Sequence, residues 1–330
     1  MSALAPTRDV SRPASPTTFQ IVTPLFRDVE SFLVLHRRIG EVLRSSGYEA
    51  AIIRFFVVDD SGGQDPEVDK IRALPDVSII RPPFNLGHQR AIVLGLRAAS
   101  DRLGDDDVII TMDCDGEDQP EDLPRLVQPV LEGVEPWTVA IARRTDRKEN
   151  LTFRLLYLGF RTMFRVLTGR EVRSGNFAAY RGAYVRSMLF HPSFDLCYSS
   201  SLITLNPNPV FIPCARGKRY AGHSQMGIER LLMHGVRMLM PFADRIAVRS
   251  LALCTLTAAS TIVMLAVLLV GRLTGTVELS TWWSWILLGG VVVSGLGLVN
   301  FLVLFSSFVQ TSALSLARID QKVTIDDGTT

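Results

Sequence analysis

The sequence predicts a doubly wound α/β domain, followed by amphipathic interface helices and a C-terminal two-helix hairpin that crosses a membrane. Three observations carry this. Short apolar runs alternate with stretches of helical periodicity from Phe19 to Ala142, the pattern of a largely parallel sheet with helices on both faces. One of these runs, Val108–Met112, breaks abruptly into Asp113-Cys114-Asp115-Gly116-Glu117-Asp118. No charged residue occurs from Ser250 to Gly271, or from Leu279 to Ala317, and each stretch exceeds the ~20 apolar residues needed to cross a bilayer.

Taken in order, residues 1–18 are rich in Ser, Pro and Thr without an apolar core, and read as a disordered lead-in rather than a signal peptide. Phe19–Thr23 is the first strand, ended by Pro24. Val29–Leu43 places Phe32, Leu35, Ile39 and Val42 at helical spacing. Ile52–Val58 is the second strand, stopped by Asp59-Asp60-Ser61-Gly62-Gly63, and Val77–Ile80 is the third. Asn85-Leu86-Gly87-His88-Gln89-Arg90 leads into a helix over Ala91–Ala99, and Val108–Met112 is the central strand. Asp118-Gln-Pro-Glu121 has the spacing of a capping box with Asp118 as N-cap, so Asp118, Glu121 and Asp122 are assigned mainly to helix initiation. Val139–Ala142 is a further strand, followed by the basic pair Arg143-Arg144.

Leu151–Leu167 is crowded with Leu, Phe and Tyr, while Arg147, Arg154, Arg161 and Arg165 fall on one helical face. Such a helix lies on a membrane with its arginines at headgroup level; a core helix with a solvated stripe is the plainer alternative. Ile228–Phe242 is a second amphipathic candidate, with Arg230 and Arg237 one heptad apart. The domains are therefore taken as 19–227 for the catalytic unit, 228–249 for a juxtamembrane helix, 250–310 for the hairpin and 311–330 for a tail. Spans of about 251–270 and 282–309 are expected, with Trp282, Trp283 and Trp285 marking a membrane boundary.

A net charge of +2 does not suggest nucleic acid. The four cysteines, Cys114, Cys197, Cys214 and Cys254, lack paired spacing, which argues against a disulfide framework or a zinc site. Arg237, Arg245 and Arg249 precede the first span and Arg318 and Lys322 follow the second, with Arg272 alone between them. The positive-inside rule then places both termini and the catalytic domain in the cytoplasm, on the inner face of the membrane. Gly289, Gly290, Gly295 and Gly297 permit close helix approach and hence self-association.

The acids after the central strand carry the chemistry. Crowded carboxylates repel each other unless a cation sits among them, and Mg²⁺ or Mn²⁺ takes oxygen ligands and bridges phosphates. If the strand ran on through Asp115, Asp113 and Asp115 would share one face at its carboxyl end, where α/β sheets place ligands. Asp59, Asp60 and Ser61 end another strand and can hold a base or ribose, although acids and glycines end many strands. Asn85, Gly87, His88 and Gln89 precede a helix whose backbone N–H groups can face an anion; a plain turn explains them equally. A solvated loop is the default reading of the basic run Arg216-Gly-Lys-Arg219, but its place shortly before a membrane span favours contact with phosphate or lipid headgroups more than is usual for such a cluster.

Pro24 after a strand, Asp59-Asp60-Ser61-Gly62, Asn85-Leu86-Gly87, Asp113-Cys114-Asp115 and Arg219-Tyr-Ala-Gly-His-Ser224-Gln225 come in the order seen in glycosyltransferase family 2. The chain resembles most its polyprenyl-phosphate glycosyltransferases, the dolichol-phosphate mannose synthase and GtrB-like group, over roughly residues 19 to 310. The resemblance implies a GT-A fold, a nucleotide-diphosphate sugar donor with uridine favoured, and a polyprenyl (undecaprenyl) phosphate acceptor. It implies that Asp60 and its neighbours hold the nucleoside. Asp113 and Asp115 would hold the metal and diphosphate, with Glu117 where relatives place a Gln metal ligand. Asp115, Asn176 and Arg219 are the catalytic candidates. Pro24, Asp59, Asp60, Ser61, Asn85, Gly87, His88, Gln89, Asp113, Arg143, Arg144, Ser224 and Gln225 are the donor- and phosphate-binding ones. Relatives form tetramers, which leaves a homo-oligomer open.

Two departures matter. Gln225 stands where the family usually has Lys, removing one phosphate-neutralising charge. Asn176, in Arg173-Ser-Gly-Asn176-Phe, occupies the place of an Asp proposed as catalytic base in some relatives. An amide accepts no proton near neutral pH, which suits an acceptor already anionic; a lipid alcohol would need a base from elsewhere. The alternatives are therefore a transferase acting on another membrane lipid, or a non-catalytic scaffold that keeps the fold.

Overall fold

Alternating buried runs and amphipathic helices build an eight-stranded mixed sheet, ordered β7-β5-β6-β4-β1-β2-β3-β8. The computed structural model describes residues 17–133, 135–144, 151–171, 174–189, 191–206, 208–221, 228–276, 281–312 and 324–326. The first half comprises β1 (Thr18–Leu25), α1 (Val29–Ser45), β2 (Ile52–Asp59), α2 (Asp69–Arg72), β3 (Val77–Arg81), α3 (His88–Ala99), β4 (Val108–Thr111), α4 (Leu123–Glu132) and β5 (Val139–Arg144). There follow α5 (Leu151–Thr168), β6 (Ser174–Arg181), α6 (Gly182–Met188), α7 (Ser193–Leu196), α8 (Tyr198–Leu205) and β7 (Val210–Cys214). The chain ends with α9 (Ile228–Leu239), α10 (Ala243–Leu273), α11 (Thr281–Ser312) and β8 (Thr324–Asp326).

Strand residues of opposite parity feed two cores. Phe19, Ile21, Phe55, Val57 and Ile110 pack with Phe32, Leu35 and Ile39 of α1 and Leu126 of α4. Val22, Phe56, Val58 and Ile109 pack on the other face with α3 and with Phe164, Phe194, Tyr198 and Phe242. This is the doubly wound sheet expected, with one difference of composition. β1 runs parallel to β2 and β4, and β2 to β3, but β6 is antiparallel to both β4 and β5. The strand reading missed β6, β7 and β8.

Pro24 does not end the first strand as expected; β1 continues to Leu25. Val22 O accepts from Met112 N, so that parity faces β4. Pro24, two residues on, faces the gap beyond the end of β4 at Thr111, where a missing N–H removes no ladder bond. The expected capping box is also absent. The first turn before α4 is a 3₁₀ turn over Pro120–Asp122, and Gln119 at its cap position makes no side-chain cap bond. The Asp118 carboxylate instead turns back to accept the Asp113 backbone N–H at 3.0 Å.

Both expected amphipathic helices form. In α5, Phe164 is buried while Leu158, Met163 and Val166 are exposed, and Arg161 and Arg165 pair with Glu171; the Arg147 position and the Arg154 side chain lie outside the described residues. The second ends earlier than expected, at Leu239, and a 3₁₀ turn over Met240–Phe242 joins it to α10. By length and composition, Met233–Leu273 and Trp285–Leu302 are membrane-span candidates. α10 and α11 lie against each other. A Cβ on Gly290 would collide with Thr261, and one on Gly297 with Cys254, whereas Gly289 and Gly295 face open space. Two of the four glycines read as a self-association surface thus serve the hairpin's own contact. The side chain of Trp282 lies outside the described residues.

Candidate active site

The site lies at the carboxyl end of β4. Thr111 Oγ1 donates to Asn176 O at 2.7 Å and lies 2.6 Å from Tyr198 OH, so β4, β6 and α8 are tied together just below the acids. β4 stops at Thr111, and Asp113 and Asp115 stand on the turn that follows. The Asp113 carboxylate has Oδ1 2.9 Å from His88 Nε2 and 3.3 Å from Asn176 Nδ2. Among the described residues, its Oδ2 accepts no hydrogen bond. Asp115 accepts the Glu117 N–H at Oδ1, 2.9 Å, and pairs with Arg219 Nη2 at Oδ2, 2.8 Å.

A second segment closes over this turn. Gly217 N–H donates to Glu117 O and Tyr220 N–H to Asp115 O, each at 2.9 Å. The approach is close: a Cβ on Gly116, whose φ is +89°, would meet the Tyr220 ring, and one on Gly217 would strike Gly116 O. This brings Arg216 to the Glu117 carboxylate at 2.7 Å and Arg219 Nε at 3.1 Å, with Arg144 at 3.5 Å from the other side. Asp118 faces Arg144 at 3.4 Å.

These surroundings separate the four acids. Burial opposes ionisation of Asp113, but the adjoining His88, helped by Arg144 and Asn176, holds it down to about 2. Burial likewise raises Glu117, yet Arg216, with Arg144 and Arg219, keeps it below the usual carboxylate range. Asp115 is raised by burial and by the charge of Asp113. Asp118 is pushed up to about 7 for the same two reasons. His88 is held above its ordinary value: burial works against the charge, and Asp113 beside it wins.

The other predicted residues form a connected rim. Asp60, buried, accepts Leu86 N–H at 2.7 Å and Gly87 N–H at 3.1 Å, which joins the two loops. Asp59 Oδ1 accepts from Ser61 N–H and Oγ, and Asn85 Oδ1 from Gly87 N–H. Gly87 has φ +80°, the left-handed region that suits glycine, and α3 starts immediately after it. Gln89 Oε1 accepts Ser199 N–H at 3.0 Å, which leaves its Nε2 to donate to Asn176 Oδ1 at 2.5 Å. That order turns the Asn176 amide nitrogen to donate to Asp113, beside the His88 ring. Pro24 contributes its carbonyl to Cys114 Sγ.

Arg143 and Arg144 part company. Arg144 enters the acid cluster, while Arg143 lines a separate cavity of about 360 Å³ with Arg170, Glu171, Ile203, Asn208 and Phe211. Ser224 and Gln225 lie outside the described residues. The sequence reading did not place Asp118 in the site, because its spacing fitted a cap. It singled out the basic run of Arg216 without a partner, it missed Tyr198, which no motif marks, and it gave no role to Tyr220, although that residue lies within the Arg219–Gln225 motif.

Among the described residues, no three His, Cys, Asp or Glu side chains converge as a complete metal cage. The donor set nonetheless suits a hard divalent ion held by one or two carboxylates and completed by substrate phosphates. Asp113 and Asp115 supply oxygen, and among the described residues Asp113 Oδ1 is engaged by His88 and Asn176 while its Oδ2 accepts no hydrogen bond.

A family model described as glycosyl transferase family 2 matches residues 21–189. Undecaprenyl-phosphate 4-deoxy-4-formamido-L-arabinose transferase of Pectobacterium carotovorum is 31% identical over 176 residues, 51% of this chain and 50% of that protein. The protein of the same name from Yersinia pestis is 29% identical over 223 residues, 64% and 63% of the two chains. In the first of these alignments the chain spans about half the relative's length. Among solved structures, glucosyl-3-phosphoglycerate synthase from Mycobacterium tuberculosis, in complex with Mn²⁺, uridine diphosphate and glucosyl-3-phosphoglycerate, aligns with TM-score 0.47. It is 17% identical and covers 69% of this chain and 80% of that one.

Proposed function

The chain belongs to glycosyl transferase family 2, and from that premise we propose that it moves a sugar, with inversion, from a nucleotide-diphosphate sugar to a polyprenyl phosphate. A uridine donor is favoured, and the reaction takes place at the cytoplasmic face of the inner membrane. One observation carries this reading: the Asp113 and Asp115 carboxylates stand at the carboxyl end of β4 in a chain that continues into two span-length apolar helices. The names of the relatives, which specify undecaprenyl phosphate, support the acceptor class.

Asp113 and Asp115 are the residues that would hold a Mg²⁺ or Mn²⁺ ion together with the donor diphosphate. When bound, such an ion supplies positive charge to the departing nucleoside diphosphate. Arg219 and Arg216, lodged on Glu117 and Asp115, stand beside the same charge and can turn to the phosphates. Asp59, Asp60 and Ser61, with the Asn85–Gln89 turn, form the rim in which the nucleoside would lie.

In the transfer, an oxygen of the acceptor phosphate forms a bond to the anomeric carbon. The bond from that carbon to the donor diphosphate breaks on the opposite face, and its electron pair leaves with the nucleoside diphosphate. The attacking oxygen is already anionic, so no base has to remove a proton. Asn176, held by Gln89 and aimed at Asp113, suits this reaction, since it can orient groups by hydrogen bonds but cannot serve as a base.

The test is purified full-length protein with uridine-linked sugars, Mn²⁺, and either undecaprenyl phosphate or undecaprenol. Nucleotide release that depends on the lipid phosphate supports the reading. Release with the alcohol alone, or no release with any donor, overturns it.

A further inference from the structure

In the acid cluster every carboxylate already has a basic neighbour. His88 stands on Asp113, Arg219 on Asp115, Arg216 on Glu117, and Arg144 between Glu117 and Asp118. Two further basic side chains, both on α9, lie beside that arrangement. Arg237 lies over the Gly87 turn, and a Cβ placed on Gly87 would be 3.9 Å from Arg237 Nη1. His234, half-buried, lies near enough to His88 and Asp113 to feel the charge of each. Positions 234 and 237 are one helical turn apart and so neighbours on the helix surface. Among the described residues, neither side chain makes a hydrogen bond or an ion pair.

The remainder of α9 explains what would reach them. Gly235 sits against the Phe160 ring of α5, where any Cβ would crowd the ring, and Met238 is buried. These contacts fix the helix on the domain. Met233 and Val236, by contrast, are exposed, as are Leu158, Met163 and Val166 of α5, which gives the two helices an apolar outer surface suited to lying in a bilayer interface. A single 3₁₀ turn then leads from Leu239 into α10, the first apolar span. His234 and Arg237 therefore lie between this exposed apolar surface and the carboxylates.

We propose that His234 and Arg237 form the subsite for the acceptor phosphate, gripping a phosphomonoester between α9 and the Gly87–His88 turn so that one of its oxygens faces the Asp113 side of the site. The inference rests on the reading of a lipid-phosphate acceptor and goes beyond it by assigning the anion to a helix outside the nucleotide-binding sheet. Arg offers a planar fork matched to phosphate oxygens, and His234 a second donor. The donor diphosphate would be held at Asp113 and Asp115 through a divalent ion, which leaves the α9 side chains to the acceptor.

Binding of farnesyl phosphate to the full chain in detergent micelles, measured by calorimetry, tests this, with farnesol and inorganic phosphate as comparison ligands. Arg237→Ala is expected to weaken farnesyl phosphate at least about tenfold, the scale of one charge-assisted hydrogen bond. His234→Ala should weaken it less, and Arg237→Lys should recover part of the loss. The affinity for uridine diphosphate with Mn²⁺ should be unchanged in all three, which also reports that they fold. Inorganic phosphate binding as tightly as farnesyl phosphate would assign the site to free phosphate and overturn the lipid source. An equal loss of nucleotide affinity would place the two side chains on the donor and overturn the proposal. Unchanged farnesyl phosphate affinity in the variants, with sugar transfer to polyprenyl phosphate intact in the native chain, defeats this inference alone. A native chain that neither binds farnesyl phosphate nor transfers sugar to polyprenyl phosphate defeats the functional reading as well.

Discussion

Asp115 and Glu117 are two residues apart, yet their carboxylates live in opposite surroundings. Asp115 is raised by burial and by Asp113, whereas Glu117 is held low by arginines. An added divalent cation gains most from the acids whose charge is least compensated. Asp115→Asn is therefore expected to remove the rise in melting temperature that Mn²⁺ gives the native chain, and to abolish metal-dependent transfer while membrane insertion persists. Undiminished stabilisation by Mn²⁺ would take Asp115 out of the site. Glu117→Gln acts differently, since it removes the negative charge that Arg144, Arg216 and Arg219 share. The expected cost in urea unfolding is about 1–3 kcal/mol. That is below the figure for a fully buried pair, because the Arg216 and Arg219 side chains are 37% and 32% exposed and screened by water. The pair Asp113 and Asp115 was legible in the sequence, because a β-branched run that ends in acids needs no distant information. The position of Glu117 was not, since its arginines come from 27, 99 and 102 residues away. Away from the site, His36 Nε2 lies 2.9 Å from Asp76. Burial raises Asp76, but the hydrogen bond and charge of His36 outweigh it, and the carboxyl sits below its ordinary 3.8. With a depressed folded-state value, the pair stabilises the fold fully above the unfolded value, and that contribution is lost as pH falls through the folded one. The melting-temperature gap between the native chain and Asp76→Asn should be present at about pH 5 and shrink below about pH 4.

At the scale of elements, the hairpin makes a directional prediction. α10 and α11 meet where Gly290 lies under Thr261 and Gly297 under Cys254, with the Thr257 and Ser294 hydroxyls 3.1 Å apart between them. Small residues and a polar pair are what hold helices together where lipid is as apolar as their side chains. Gly290→Leu or Gly297→Leu should separate the helices and lower the melting temperature in detergent by several degrees. Gly289→Leu, which points into open space, should leave it unchanged. Equal effects from all three would mean that the outer face is also packed, against a second copy. The sequence announced that these glycines permit close approach, but four of them in one apolar run carry no sign of which helix they meet. The capping box failed for a related reason. Asp118 has the right spacing, but the Asp113 N–H competes for its carboxylate, and a contact of that kind appears only once the turn after β4 is built.

At the scale of the whole molecule, β8 ties the end of the chain to the start of the sheet. Thr324–Asp326 pairs antiparallel with β3, matching Ile325 to Ile80 and Asp326 to Ile79. α11 ends at Ser312, and residues 313–323 reach at most roughly 40 Å when extended. The tail can reach β3 only if the hairpin returns it to the side of the membrane that holds the sheet. Two spans would do this, which asks only that sheet and tail share one side; the basic residues that flank the spans predict that this side is the cytoplasm. The prediction is read with a membrane-impermeant maleimide on Thr330→Cys, against a low background because Cys114, Cys197 and Cys214 are buried. Inverted inner-membrane vesicles should label, whereas intact spheroplasts should label only after permeabilisation. Labelling of intact spheroplasts without permeabilisation would put the tail outside the cytoplasm and overturn the orientation that the flanking basic residues predict.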